Sequence, residues 1–264
     1  MLPANLVALR ERANQPPSQH RQLLLAAGRV FGSVSLPLAA QLLTAAEPLV
    51  RQVAADGSAL ELLGNSDSAL RALALWLREQ GHTGAWHEES LAVNDDAGRP
   101  LGRIERGVVR PLGIATHAVH LVGSSADGRI WLQQRARSKA TDPGKWDTLM
   151  GGMIAADESL ETATARETWE EAGLRLESLG GFSALRDHGI VQFRRPVPDS
   201  GTDGYLVERI HALSCVIPNA LRPKNQDGEV ERFELVSTHT LLARIEDETL
   251  TMEAALVLAH CFGW

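Results

Sequence analysis

The chain has 264 residues, 44% hydrophobic and 22% charged, the balance of a globular protein able to bury a real core. A formal net charge of −7 with no basic stripe disfavours nucleic acid as a general electrostatic partner. No apolar run reaches the roughly 18 residues that a membrane span needs, and no signal-like apolar core follows the N-terminus, so no membrane partner and a cytoplasmic location are expected. Cys215 and Cys261 form no CxxC pair, which argues against a disulfide framework or zinc cluster; Cys215, in "HALSCVIP", reads as a buried strand residue.

Residues 3–13 read as a short helix that "NQPPSQ" breaks. "RQLLLAAGRVFGSV" reads as a hairpin or strand pair around Gly28, and 36–45 as a helix with proline in its first turn. A firmer helix covers 67–81: Asp67 is placed to cap it, Leu70, Leu73, Trp76 and Leu77 form an apolar face, and Gly81 ends it. Strands joined at "DDAG" follow. The character changes near Pro111. Residues 116–136 give two strands around Asp127-Gly128, and "TDPGKWD" gives a loop. A helix runs from about Ser159 to Ala172 with Gly173 at its C-cap. Later come a strand over 208–217, the charged loop "RPKNQDGEVE", a strand in "VERFELVS", and helices in "STHTLLARI" and "TMEAALVLAHCF". Mixed elements with several hairpins favour α+β over a doubly wound parallel sheet. The expected division is an N-terminal accessory unit over 1–112 and a second domain over 113–264.

Six carboxylates fall within residues 157–171. On the helix, Glu167, Glu170 and Glu171 are spaced i, i+3 and i+4, so they share one side. Three like charges there repel unless neutralised, and hard divalent cations prefer oxygen ligands. Arg166 is placed to pair with Glu170 or with Glu158. Leu160, Ala163, Ala165, Thr168 and Ala172 are left for packing. Gly151 and Gly152 allow the preceding backbone to approach a metal closely.

This stretch resembles the Nudix box, read here as Gly152, Glu158, Arg166, Glu167, Thr168, Trp169, Glu170, Glu171, Ala172, Gly173, Leu174. At residue frequencies near five per cent, matching its seven fixed positions by chance has odds of about one in a billion per start. Thr168 stands where an aliphatic residue is usual, and a small packing cost is expected there. The resemblance implies a Nudix α/β/α sandwich with a mixed sheet beside a smaller N-terminal α+β domain. It implies hydrolysis of a diphosphate linkage in a small-molecule substrate. Glu167, Glu170, Glu171 and the Gly151 carbonyl would hold Mg²⁺ or Mn²⁺, Arg166 would orient the carboxylates, and Glu158 completes the set. The general base varies within the family; Glu167 is the preferred assignment. A homodimer is compatible with this reading.

Two stretches narrow the resemblance. "WLQQRARSKATDPGKWDTLMGG" is similar to the segment before the box in isopentenyl diphosphate isomerases and in a Nudix group attached to thiamine pyrophosphokinases. The isomerases use a cysteine just before the box, and "DTLMGGM" has none. The thiamine-associated group is similar over more of the chain, in "WHEESLAVNDDAGRPLGRIERGVVRPLGI", "RSKATDPG" and "DGEVERFEL". That similarity implies hydrolysis of thiamine pyrophosphate or its oxidised analogues to the monophosphate. The chain departs from that group at Asp142 and in "MEAALV" (252–257). Other readings are a different nucleoside diphosphate substrate, or a module that senses a pyrophosphate without cleaving it. Arg135, Arg137 and Lys139 read either as diphosphate contacts or as an exposed basic loop. Trp146 could stack on a ring or pack beneath the loop. Glu229 and Glu231 read as an extra ligand or base, or as a solvated turn, and Glu208 is a further candidate. His117 and His120 read as structural. Outside the box, Trp86, Trp146 and the loop near Glu229 are where specificity is expected.

Overall fold

The computed structural model describes residues 4–53, 56–199 and 202–264; Pro3, where the first helix was expected to begin, lies outside them. After α1 (Leu6–Ala13) come β1 (Arg21–Ala26), β2 (Arg29–Ser35), α2 (Leu36–Leu43), β3 (Val50–Gln52), β4 (Ala59–Leu62), α3 (Ser66–Glu79), β5 (Ser90–Asn94) and β6 (Pro100–Glu105). The first sheet has the order β2-β1-β4-β3, and β5 pairs with β6 as a hairpin. The turn between β1 and β2 puts Ala27 and Gly28 at φ 52° and 72°, the handedness that a tight hairpin requires. α3 places Leu70, Leu73 and Leu77 at full burial, as its spacing predicts. Its cap differs from expectation. Asn65, two residues earlier, accepts the Asp67 amide, which frees the Asp67 carboxylate to accept the Arg103 backbone N–H at 3.2 Å.

The second unit holds β7 (Ala115–Ser124), β8 (Ile130–Arg135), β9 (Trp146–Asp147), β10 (Met150–Met153), α4 (Leu160–Ala172), β11 (Arg186–Asp199), β12 (Thr202–Val216), β13 (Val230–Val236), α5 (Thr238–Glu246) and α6 (Met252–Phe262). Its mixed sheet runs β11-β12-β7-β8-β13, with β12 parallel to β7; β10 pairs with β7 and β9 with β8. Trp146-Asp147, expected in a loop, forms β9, a two-residue strand. The strands β3, β4, β10 and β11 carry no clear period in sequence. One sheet face packs on α4 through Val119, Leu121, Leu213 and Ala163. The other packs on α1, α5 and α6 through Ala118, Ile210, Leu241 and Leu258. The result is the expected helix–sheet–helix sandwich of an α+β protein.

The division at residue 112 is corrected at both ends. Leu6, Leu9 and Ala13 of α1 are buried in the second unit's core, not the first. Leu112 and Ile114 belong to the first core, with Leu24, Phe31 and Leu60. The first unit is therefore an insertion between α1 and the strands that α1 packs against. Arg21 ties it down: its guanidinium donates to the carbonyls of Ser33 (2.6 Å), Pro111 (2.9 Å) and Asp203 (2.5 Å). Leu9→Ala should lower the stability of the second unit by about 2–5 kcal/mol, the range for a buried Leu→Ala cavity. Denaturant unfolding checks this, and an unshifted midpoint would place α1 outside the core.

Candidate active site

Gly151 and Gly152 lie on β10, and the box helix α4 crosses beside them. Ser159 caps α4 by accepting the Thr162 amide at 3.1 Å, and Gly173 closes it at φ 63°. Between these ends, Arg166 gathers the chain. Its Nε and Nη2 donate to Glu158 at 2.6 and 2.8 Å, its Nη1 to Glu167 at 2.8 Å and Glu170 at 3.1 Å, and its Nη2 also to the Met153 carbonyl at 3.1 Å. The guanidinium is thereby raised further above its ordinary range, chiefly by Glu158, whose own carboxyl is held down chiefly by Arg166. Both pairings foreseen for Arg166 form at once.

The three box carboxylates sit at different depths. Glu170 is exposed. Glu167 lies against β10: a Cβ on Gly152 would come within 1.9 Å of its Oε1, so only glycine fits. Burial raises its carboxyl, opposed by Arg166. Glu171 is 2% exposed. Its Oε2 accepts the Gly151 amide at 2.9 Å and Gln133 Nε2 at 2.8 Å, and burial pushes its carboxyl up to about 8. Gln133 was not foreseen. Its signal was a polar residue at a buried position of the strand "IWLQQR". Its Oε1 is buried without a partner among the described residues.

These donors suit a hard divalent cation in kind: carboxylate and carbonyl oxygens, one carboxylate buried without a salt bridge, and a glycine strand that lets them approach. No three His, Cys, Asp or Glu side chains among the described residues converge as a ready ligand cluster. Arg166 holds two of the three box carboxylates, so a cation must share them with it.

Around this centre the loop residues separate. Lys139 forms an ion pair with Glu229, and the Ala136 amide donates to the Glu229 carbonyl at 2.9 Å. Lys139 acts electrostatically on Glu171, and Glu229 on Glu167, so both stand beside the box. Arg137 is exposed nearby. Arg135 is occupied in the fold, donating to the Thr141 carbonyl at 3.1 Å and pairing with Asp147 at 3.3 Å. Of its two readings, Trp146 takes the packing one. It is 7% exposed, bridges to Leu250, and carries Arg244 over its ring at 3.9 Å and Arg232 at 5.2 Å. Glu231 is exposed and stands apart from the box carboxylates. It lines a cleft of about 500 Å³ with Trp131, Arg222, Lys224 and Phe233, to which no box carboxylate contributes.

His117 pairs with His211 at 3.2 Å, in keeping with a structural role. His120 is buried directly beneath Gly151, where an added Cβ would come within 2.7 Å of its Nε2. Burial lowers its pKa, so the ring is neutral. The Thr148 hydroxyl spends its proton on the Met150 carbonyl at 2.8 Å, so His120 Nδ1 donates to it at 3.0 Å. Nε2 is then a bare acceptor.

A mixed sheet between helices and an arginine-tied carboxylate helix over a glycine strand define a Nudix-type site. Residues 115–258 match the NUDIX domain, and the chain belongs to that family. It is 35% identical over 115 residues to an uncharacterized Nudix hydrolase of Pseudomonas aeruginosa, which takes in 44% of this chain and 64% of that protein's length. It is 33% identical over 162 residues to an isopentenyl-diphosphate Delta-isomerase of Leifsonia xyli, covering 60% of this chain and 81% of that one. A crystal structure of a Deinococcus radiodurans protein shares the fold, with a TM-score of 0.50 at 21% identity over 64% of this chain and 97% of that one.

Thr168, the box departure, is fully buried, and its hydroxyl has no partner among the described residues. Thr168→Val should stabilise the protein by about 1 kcal/mol by removing an unpaired buried hydroxyl. A lowered thermal midpoint would instead assign that hydroxyl a partner. Gly152→Ala should displace Glu167 and reduce Mn²⁺ affinity by a factor of about ten, the scale of one disturbed ligand position. Titration calorimetry with Mn²⁺ reads it, and unchanged affinity would remove Glu167 from the ligand set.

Proposed function

We propose that the chain is a divalent-metal-dependent pyrophosphohydrolase that cleaves thiamine pyrophosphate or its oxidised analogues to the monophosphate. The observation that carries the hydrolase reading is Glu171, a buried carboxylate fixed by the Gly151 amide and Gln133 and facing no salt-bridge partner. Glu167, Glu170, Glu171 and the Gly151 carbonyl would hold Mg²⁺ or Mn²⁺. When bound, such an ion neutralises pyrophosphate charge and makes attack by water easier. Arg166 keeps the carboxylates aligned. Glu167 takes the water proton. Lys139, beside Glu171, meets the diphosphate, with Arg137 as a second cation at the mouth.

The substrate assignment is supported by a meeting of two stretches. Lys139, from "RSKATDPG", pairs with Glu229, from "DGEVERFEL", and both act on box carboxylates. The segments that resemble the thiamine-associated group thus line one side of the centre. The inserted unit, residues 21–114 by its core, would cover the leaving group and read its identity, with Trp86 against α3 on that unit.

The isomerase is the second reading, favoured by the Leifsonia relative. Against it stands His120, whose ring fills the space where a side chain at position 151 would begin. Both cysteines lie elsewhere, each thiol pushed up to about 12 by burial.

A panel of diphosphates with Mg²⁺ and Mn²⁺, scored by released monophosphate, tests these assignments. Thiamine compounds should lead, and isopentenyl diphosphate should be returned unchanged. A tenfold preference for nucleoside diphosphate sugars, about 1.4 kcal/mol in transition-state discrimination, would move the substrate elsewhere and leave the hydrolase intact. Glu171→Gln should keep the fold, because the amide oxygen still accepts both hydrogen bonds, yet cut turnover by about a hundredfold. Turnover in excess chelator would overturn the metal role.

A further inference from the structure

The sheet face beneath α6 carries charged groups that the phosphate chemistry does not use. Along β12, Leu206, Ile210 and Ala212 point into the core on this face, and Glu208, at the same two-residue spacing, shares it. Glu208 lies between Phe193 of β11 and Thr116 of β7 in the register. Its carboxylate makes no hydrogen bond or ion pair with a described residue, though Glu253, Arg110, Arg195 and Arg106 act on it electrostatically. Burial, with Glu253 adding, pushes its carboxyl up to about 7. Glu253, in the first turn of α6, meets Arg195 at 3.7 Å. Arg195 Nε is buried with no partner among the described residues. Arg195 Nε is therefore a water-excluded donor left open, and the half-buried Glu208 carboxylate beside it is an unpaired acceptor still within reach of water.

His120 joins this surface to the box. It acts with Glu253 on one side and Asp147 on the other, and its bare Nε2 lies under Gly151. The surface therefore starts beneath the strand that would carry the metal and leads toward Arg106 and Arg110, at the junction with the inserted unit. On the hydrolase reading the phosphates lie at the Lys139 end, beside the box, which leaves this surface to the other end of the substrate.

Resting on the hydrolase reading for the position of the diphosphate, we infer that Glu208, Glu253 and Arg195 form a specificity site for the edge of an amino-bearing nitrogen heterocycle. The two carboxylates accept N–H groups, and Arg195 Nε donates to a ring nitrogen. A hydrocarbon leaving group would cover Glu208 and Arg195 Nε without giving either a hydrogen-bond partner. A site built to bond polar edges rejects analogues that lack them far more strongly than an apolar pocket rejects a size mismatch.

Binding to metal-free, full-length protein tests the site apart from turnover. The probes are thiamine monophosphate, cytidine monophosphate and isopentenyl monophosphate, titrated by calorimetry. At least one aminopyrimidine monophosphate should bind at least ten times more tightly than the hydrocarbon one. Glu208→Gln and Glu253→Gln should each erase most of that preference while leaving isopentenyl monophosphate within a factor of about two, and circular dichroism should report an unchanged fold. Arg195→Lys, which keeps the charge but moves the donor, should lower the preference as well. Equal binding of all three probes by the wild type overturns the inference. So does an equal loss for every probe in the variants, which would make the pair structural. Failure of hydrolysis, by contrast, bears on the catalytic reading alone.

Discussion

One guanidinium organises the catalytic end of the second unit. Arg166 reaches back to Glu158 before its helix, sideways to Glu167 and Glu170 on it, and across to the Met153 carbonyl on β10. A lysine could neutralise the same charge but could not span three carboxylates and a carbonyl from fixed directions. Through it, the start of α4, its middle and the glycine strand become one rigid piece. The like charges on α4 are tolerated because this group sits among them, half-buried and away from full solvent screening. Glu171 alone is outside its reach, and the Gly151 amide and Gln133 hold that residue instead.

The order of elements around the site was readable because each has a strong local signal. Ser159 and Gly173 bound α4 as caps do, and the alternating strands β7 and β8 flank a turn at Asp127-Gly128. The box made Arg166 and its carboxylates visible as a set. Depth was not readable. Periodicity places Glu171 beside Glu167 and Glu170, but only the sheet packed against α4 decides that Glu171 is buried and Glu170 is not. Trp146 was ambiguous for the same reason: its partners, Leu250, Arg232 and Arg244, come from the far end of the chain. β10 has only four residues, two of them glycine, so it exists through pairing with β7 and has no propensity of its own. The assignment of α1 to the first unit failed because α1 is separated by a whole unit from the core it completes, a relation that no window along the sequence contains.

The two glycines of β10 divide the site between the faces of the sheet. Gly152 makes room for Glu167 on the α4 side, and Gly151 makes room for His120 on the other. Box carboxylates gather on one side of a single strand and the buried His120 ring lies on the other, within one residue's rise, about 3.3 Å. Glu171 and Glu208 lie on opposite faces of the sheet, and each carboxyl is raised chiefly by its own burial.

The position of α1 has a consequence for how the chain folds as it is made. Its buried leucines contact α6, roughly the full length of the chain away, so the second core has its first and last pieces at opposite ends of synthesis. The inserted unit has its own core and is complete once Ile114 has emerged, so it can fold while the rest is still being added. α1 then has no complete face to receive Leu6 and Leu9 until α6 has been made, so its docking comes late in synthesis.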